Sequence, residues 1–138
     1  MSHISTKYVI ERFIDIHDNR MDNIFDSLNL PDLKENFQFL SIDIDGDDYG
    51  VWRTLLEYRP KLILIEADSF APPNIVKISL ETGTSAAALV MLGKQKGYEL
   101  ITHCGNVFFI VKELFDQLGI ANNSLENVFD YGWINGRF

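Results

Sequence analysis

Cysteine and long apolar runs are both scarce in this sequence. The single cysteine, Cys104, has no partner for an internal disulfide, which suits a reducing compartment. The longest uninterrupted apolar run, residues 86–92, is far shorter than the roughly 20 residues that a helix needs to span a bilayer. The polar start Met1-Ser2-His3 is unlike a secretory signal. We therefore predict a cytoplasmic protein.

Positive charge is also scarce. Lysine and arginine number 12 against 20 acidic residues, which gives a formal charge of -8. No cluster of basic residues offsets this charge locally, so nucleic acid and anionic membrane surfaces are excluded as partners.

Apolar residues make up 46% of the chain, enough for the core of one domain, and their spacing predicts an α/β fold. We predict a strand over residues 8–16, which are rich in strand formers, although the same spacing would also suit a helix beginning at Ser5 or Thr6. A helix capped by Asp18 or Asn19 should follow and end before Pro31.

The next segments predict a strand, a helix and a second strand. After a polar joint at residues 34–36, residues 37–44 are apolar on both faces, as in the central strand of a parallel sheet. Asp47 or Asp48 should cap the helix, and residues 61–67 form the second strand. Such a unit is expected to make a right-handed crossover.

The second half is predicted to contain a loop over residues 69–82, a helix from Thr84 or Ser85 to Gln95, an antiparallel hairpin of residues 98–103 and 107–111, and a short helix over residues 113–118. All 138 residues are assigned to one domain, with an ordered core over residues 7–119 and an irregular tail over residues 120–138. Four aromatic residues of this tail could still dock it on the body or on a partner: Phe129, Tyr131, Trp133 and Phe138.

Four carboxylates surround Gly46 where the predicted central strand ends: Asp43, Asp45, Asp47 and Asp48. An EF-hand is excluded, because counting from Asp43 the glycine is fourth and the twelfth residue is Thr54. The Asp-x-Asp-Gly motif resembles haloacid-dehalogenase-like phosphatases, but Asp47 replaces their usual threonine and no later acidic pair follows. Nucleotide-sugar transferases also use Asp-x-Asp to hold a divalent ion, and this match rests on two residues.

A longer resemblance rests on a series of segments that begins with residues 40–52, LSIDIDGDDYGVW, and residues 59–66, RPKLILIE. These two segments resemble the fourth strand with its following helix, and the fifth strand, of the FkbM-like branch of the class I S-adenosylmethionine-dependent methyltransferases. Residues 83–100 are similar to the next helix and sixth strand, and residues 105–111 are similar to the antiparallel last strand. Order and spacing agree over about residues 8–115.

The resemblance implies a Rossmann-like α/β fold with a truncated methyltransferase-type sheet, mostly parallel with a C-terminal antiparallel hairpin. It covers the C-terminal half of the family's fold only. The chain has no Gly-x-Gly, whereas the family cradles its cofactor in a glycine-rich loop after the first strand. S-adenosylmethionine is therefore expected to bind only if the missing half is supplied.

A candidate site lies at the carboxyl ends of two predicted strands, where ligands bind in open α/β sheets, and the resemblance implies a function for the same positions. Asp43 and Asp45 are the candidate catalytic residues, and with Glu66 they are candidate ligands of Mg²⁺. The candidate residues for binding a small-molecule or glycan acceptor are Tyr49, Glu66, Ser85 and Asn106. The acids could instead only cap the following helix, and Ser85 could do the same for its own helix.

Two further expectations follow from the missing half. A central strand without its neighbour would leave an open sheet edge, so we predict a homodimer. Whether the chain is an enzyme stays open, because a non-catalytic binding or assembly module derived from the same fold is the alternative function.

Overall fold

The computed structural model describes residues 9–136. Their four strands form one sheet in the order β1-β2-β4-β3: β1 Phe39–Ile42, β2 Leu62–Glu66, β3 Tyr98–His103 and β4 Asn106–Val111. β1 and β2 are parallel, whereas β4 is antiparallel to both β2 and β3. The α/β class and the C-terminal hairpin are confirmed. The sheet is mixed rather than mostly parallel, since one of its three described strand pairs is parallel.

Within residues 9–136, six short α-helices accompany the sheet: α1 Met21–Ser27, α2 Leu33–Asn36, α3 Asp48–Arg53, α4 Ala86–Gln95, α5 Lys112–Phe115 and α6 Leu125–Val128. A 3₁₀ turn, Asp116–Leu118, follows α5. The longest of these helices has ten residues. None of the helices within residues 9–136 could therefore cross a membrane.

The core lies between the sheet and helices α3 and α4. Trp52 of α3 is fully buried, with its ring 4.9 Å from that of Phe109 in β4 and 5.7 Å from that of Tyr98 in β3. Gly93 brings α4 close to these rings, because a Cβ atom there would lie 2.8 Å from Phe109. Helices α3 and α4 are thus fixed on the sheet by a packed aromatic core.

The predicted strand over residues 8–16 is wrong where it can be judged. Tyr8 lies outside the described residues, and residues 9–16 contain no strand. Val9 is 92% exposed and Phe13 is 76% exposed, so these strand formers have no sheet to pack on. The Asp15 carboxylate instead accepts the N–H groups of His17 and Asn19 in a local turn.

The segment predicted as a central strand is shorter and lies at the edge of the described sheet. Phe39 is 51% exposed, and β1 is hydrogen-bonded to β2 alone among the described strands. Apolar residues on both faces of a strand therefore did not mean burial on both faces here. The parallel pairing with β2, on which the predicted crossover depends, is confirmed.

Two details of the first half differ from the prediction. The residue before α1 is Arg20, without a side-chain cap, rather than Asp18 or Asn19. The predicted polar joint at residues 34–36 is part of α2. Both errors concern short helices, whose ends depend on packing more than on local sequence.

The other local signals are confirmed. Asp47 caps α3 by accepting the Gly50 N–H, and Ser85 caps α4 by accepting the Ala88 N–H. Gly97 follows α4 with φ +80°, and Gly119 ends the 3₁₀ turn with φ +66°. These positions need the left-handed backbone that glycine adopts readily.

The tail differs from the irregular segment that was predicted. It contains α6, and Leu125 and Phe129 are buried against the body of the domain. Phe138, one of the aromatic residues in this tail, lies outside the described residues.

Candidate functional site

A cleft of about 490 Å³ opens at the carboxyl ends of β1 and β2. Its walls are the turn after β1, the segment after β2 and the last part of the loop before α4. Five acidic residues line the cleft, and no lysine or arginine within residues 9–136 does so: Asp45, Asp48, Glu66, Asp68 and Glu81. The lining of the cleft therefore carries a net negative charge and is suited to a cation.

Three carboxylates converge beside this cleft. Asp43 and Asp45 follow β1, and Glu66 is the last residue of β2, so the parallel pairing places all three at one sheet edge. One carboxylate oxygen from each residue lies within 4.8 Å of the others, and all three residues are exposed. Carboxylate oxygens at this separation can share a hard divalent ion such as Mg²⁺ or Ca²⁺.

The turn that carries Asp45 is held by Asp48. The Asp48 carboxylate is buried and accepts the Ile44 N–H at 3.1 Å and the Gly46 N–H at 3.3 Å. Asp45, between them, has φ +51°, a left-handed conformation that aspartate tolerates better than most residues. The turn thus fixes the backbone on both sides of Asp45.

The pKa of Glu66 reflects both its desolvation and the carboxylates around it. Desolvation raises the pKa of Glu66 above its usual value, and the nearby charge of Asp43, a hydrogen bond with Asp43 and the charges of Asp45 and Asp48 raise it further. All these causes disfavour the ionised form when no cation is bound. A divalent ion would remove the repulsion.

The opposite wall of the cleft is tied to β2 through Asp68. Lys77 forms an ion pair with Asp68 and donates a hydrogen bond to Thr82, while the Asp68 N–H donates to the Thr84 carbonyl at 2.8 Å. The Lys77 N–H also donates to the Ser85 hydroxyl, and the Ser85 N–H donates to the Lys77 carbonyl. The loop predicted over residues 69–82 is therefore anchored at its base beside the cleft.

Three of the candidate acceptor-binding residues lie away from the cleft lining. Tyr49 is half-buried and packs against the core. Ser85 is fully buried, and its hydroxyl accepts the N–H groups of Ala88 and Lys77. Asn106 lies opposite Glu66 in the antiparallel pair of β2 and β4. Only Glu66 of this group lines the cleft.

Several cleft residues were not among the predicted site residues. Asp48 had been considered only as a helix cap, and Asp68, just after the second predicted strand, had not been considered for the site. Trp133 lines the cleft from the tail, 67 residues after Glu66 in the chain, and the sequence had indicated only that this aromatic residue could dock the tail. Comparison of the chain with protein-family models, curated proteins and solved structures finds no match.

Proposed function

We propose that the chain is a methyltransferase-like domain whose acidic cleft holds a divalent cation and, through it, the methyl acceptor. The observation that carries this proposal is the convergence of Asp43, Asp45 and Glu66 from two neighbouring strand ends. The resemblance to FkbM-like methyltransferases is the basis for assigning methyl transfer as the chemistry.

The charge of the cleft supports a cation. The three carboxylates converge beside an acidic cleft, and the pKa of Glu66 is raised first by desolvation and then by the nearby charges of Asp43, Asp45 and Asp48. A bound ion would neutralise them and leave coordination positions open for hydroxyl oxygens of an acceptor. A small molecule or glycan that presents such hydroxyls fits this chemistry.

The contacts that would hold S-adenosylmethionine are not evident in the chain, which has no glycine-rich loop. We propose that a second polypeptide segment supplies them if the domain is an active enzyme. The second candidate function is a non-catalytic binding or assembly module, and the absence of that loop favours it.

Titration calorimetry with Mg²⁺, Mn²⁺ and Ca²⁺ tests the cation site. We expect at least one ion to bind, and at about 100 times its dissociation constant to stabilise the fold by about 2.7 kcal/mol. Replacing Asp43 by Asn should weaken binding about 100-fold, because one of three charged ligands is lost. Asp32→Asn, at an exposed acid whose side chain caps nothing, is the matched control and should bind as the wild type does.

Absence of binding by all three ions, or equal binding by Asp43→Asn, would rule out the cation site. A further titration with S-adenosylmethionine in the presence of the ion distinguishes the two candidate functions. Binding at millimolar cofactor supports the enzyme, and its absence favours the assembly module.

We also propose that the domain is a homodimer that pairs through β1. The Leu62 N–H donates to the Gln38 carbonyl, so alternate residues of β1 face β2, whereas the N–H groups of Phe39 and Ser41 face outward. No backbone hydrogen bond within residues 9–136 uses this outer side. A second copy can pair with the same edge around a two-fold axis.

Light scattering after size exclusion tests the dimer. We expect a mass of twice the 15.8 kDa of one chain for the wild type and a monomer for Ser41→Pro, which removes an outward N–H without changing the ladder to β2. Ser41→Val keeps the N–H and should remain dimeric. A monomeric wild type, or a dimeric Ser41→Pro, would contradict the proposal.

A further inference from the structure

A buried histidine attaches the tail to the sheet. His103, the last residue of β3, is 3% exposed, and its Nδ1 accepts the Asp130 N–H at 3.0 Å. Its ring is stacked on Phe129 with centroids 4.1 Å apart and planes 7° from parallel. Since Nδ1 accepts a hydrogen bond, the imidazole in this state is neutral with its proton on Nε2.

The hydrogen bond between His103 and the tail is sensitive to protonation of the imidazole. The Nε2 atom is buried and has no hydrogen-bond partner among the described residues, so the neutral ring already lacks one acceptor. A second proton would have to sit on Nδ1, where it would meet the Asp130 N–H donor. Protonation therefore removes the hydrogen bond and adds charge to a buried ring.

The attached segment also forms one wall of the acidic cleft. We define the strap as residues 129–133. Its last residue, Trp133, lines the cleft and lies over Gly105, where an added Cβ atom would be 3.3 Å from the indole Nε1. Gly105 follows His103 by two residues in the turn between β3 and β4. The strap therefore connects Asp130, which is hydrogen-bonded to His103, with Trp133 in the wall of the cleft.

We propose that the strap is a pH-sensitive gate of the cleft, closed while His103 is neutral and released when His103 is protonated. Release would move Trp133 away from Gly105 and widen the cleft on that side. The gate rests on the hydrogen bond, the ring stack and the position of Trp133, and it does not depend on which ligand the cleft binds.

The surroundings of the imidazole also favour its neutral form while the strap is closed. Burial lowers the pKa of His103 below its usual value, and the charge of the Asp130 carboxylate opposes this shift without reversing it. That carboxylate already accepts the Gly132 N–H at 2.9 Å. An open strap restores the ordinary histidine pKa of about 6.5, so a falling pH favours the open form.

Fluorescence of Trp133 tests the gate on the full chain. The difference between spectra of the wild type and of Trp133→Phe isolates the Trp133 signal from that of Trp52. Between pH 7.5 and pH 5 we expect its emission to shift to longer wavelength and its quenching by acrylamide to increase. His103→Asn places a non-titrating acceptor near the Nδ1 position and should show neither change, whereas the exposed His17→Asn should behave as the wild type does.

Proton NMR of the His103 ring in the wild type gives a second measurement that needs no folded variant. Its titration midpoint should lie below 6.5 and coincide with the midpoint of the Trp133 change. The proposal is overturned if the Trp133 signal is constant over this range, if it changes equally in His103→Asn, or if the two midpoints differ.

Discussion

Glu66→Gln is expected to raise the melting temperature of the metal-free protein and to abolish its stabilisation by a divalent cation. At neutral pH without metal, we expect an increase of about 1–2 °C, because the substitution removes one negative charge from an exposed but crowded cluster. With saturating cation, the wild type should gain about 5–10 °C, and the variant should gain almost none. A substitution that abolishes cation binding but stabilises the metal-free protein indicates that the replaced carboxylate serves to bind the cation.

The pH dependence of this effect on stability follows from the direction in which the pKa of Glu66 is shifted. The pKa of Glu66 is raised in the folded protein, so the folded state binds more protons than the unfolded state between a pH of about 4.5 and the folded-state pKa. The contribution of Glu66 to stability is therefore fully present below that pH and is lost as the pH rises through the folded-state pKa. The metal-free difference between Glu66→Gln and the wild type should appear at pH 7 and disappear at pH 4.

Thermal unfolding with and without cation, at both pH values, is the measurement. Glu35→Gln removes the same charge from an exposed position in α2 and should leave both the metal-free melting temperature and the cation response unchanged. A lower metal-free melting temperature for Glu66→Gln would show that its carboxylate stabilises the empty site, contrary to the repulsion that raises its pKa.

Local signals in the sequence predicted the parts of the fold that local interactions determine. The helix from Ser85 to Gln95 has its cap, its apolar interior and Gly97 within one short stretch, and its bounds were correct. Residues 9–16 have strand-forming side chains but no strand beside them, and that absence is a property of the whole chain. Tertiary context overrides β-propensity in such a segment.

The sequence likewise predicted the parts of the candidate site that follow from the pairing of the two strands. Asp43, Asp45 and Glu66 were found together because parallel strands bring their carboxyl ends to one edge of a sheet. Asp48 could be recognised as a cap, but its bonds to the N–H groups of Ile44 and Gly46 require the left-handed turn at Asp45. Contacts over long sequence separations, such as Trp133 beside the cleft, leave no periodic pattern.

Asp22 is a second residue whose importance depends on a distant contact. It lies in α1 with 1% of its surface exposed, and its carboxylate accepts the N–H groups of Leu56 and Glu57 at 2.8 and 3.0 Å. These two hydrogen bonds join α1 to the chain between α3 and β2, 34 and 35 residues further on. In the sequence, Asp22 looks like an ordinary acid in the first turn of a helix.

Asp22→Ala is expected to lower the free energy of unfolding by about 2–4 kcal/mol, since two charge-assisted hydrogen bonds are lost and two partly buried donors are left without an acceptor. Asp22→Asn keeps one acceptor oxygen and should lose about half as much. Asp18→Ala is the control, because that exposed side chain accepts no hydrogen bond in the described structure, and its effect should stay within about 0.5 kcal/mol. Urea unfolding of the three variants measures these differences. If Asp22→Ala and Asp18→Ala unfold at the same urea concentration, α1 is held by its apolar contacts alone, through Met21 in the core and Phe25 against Phe37 and Tyr58.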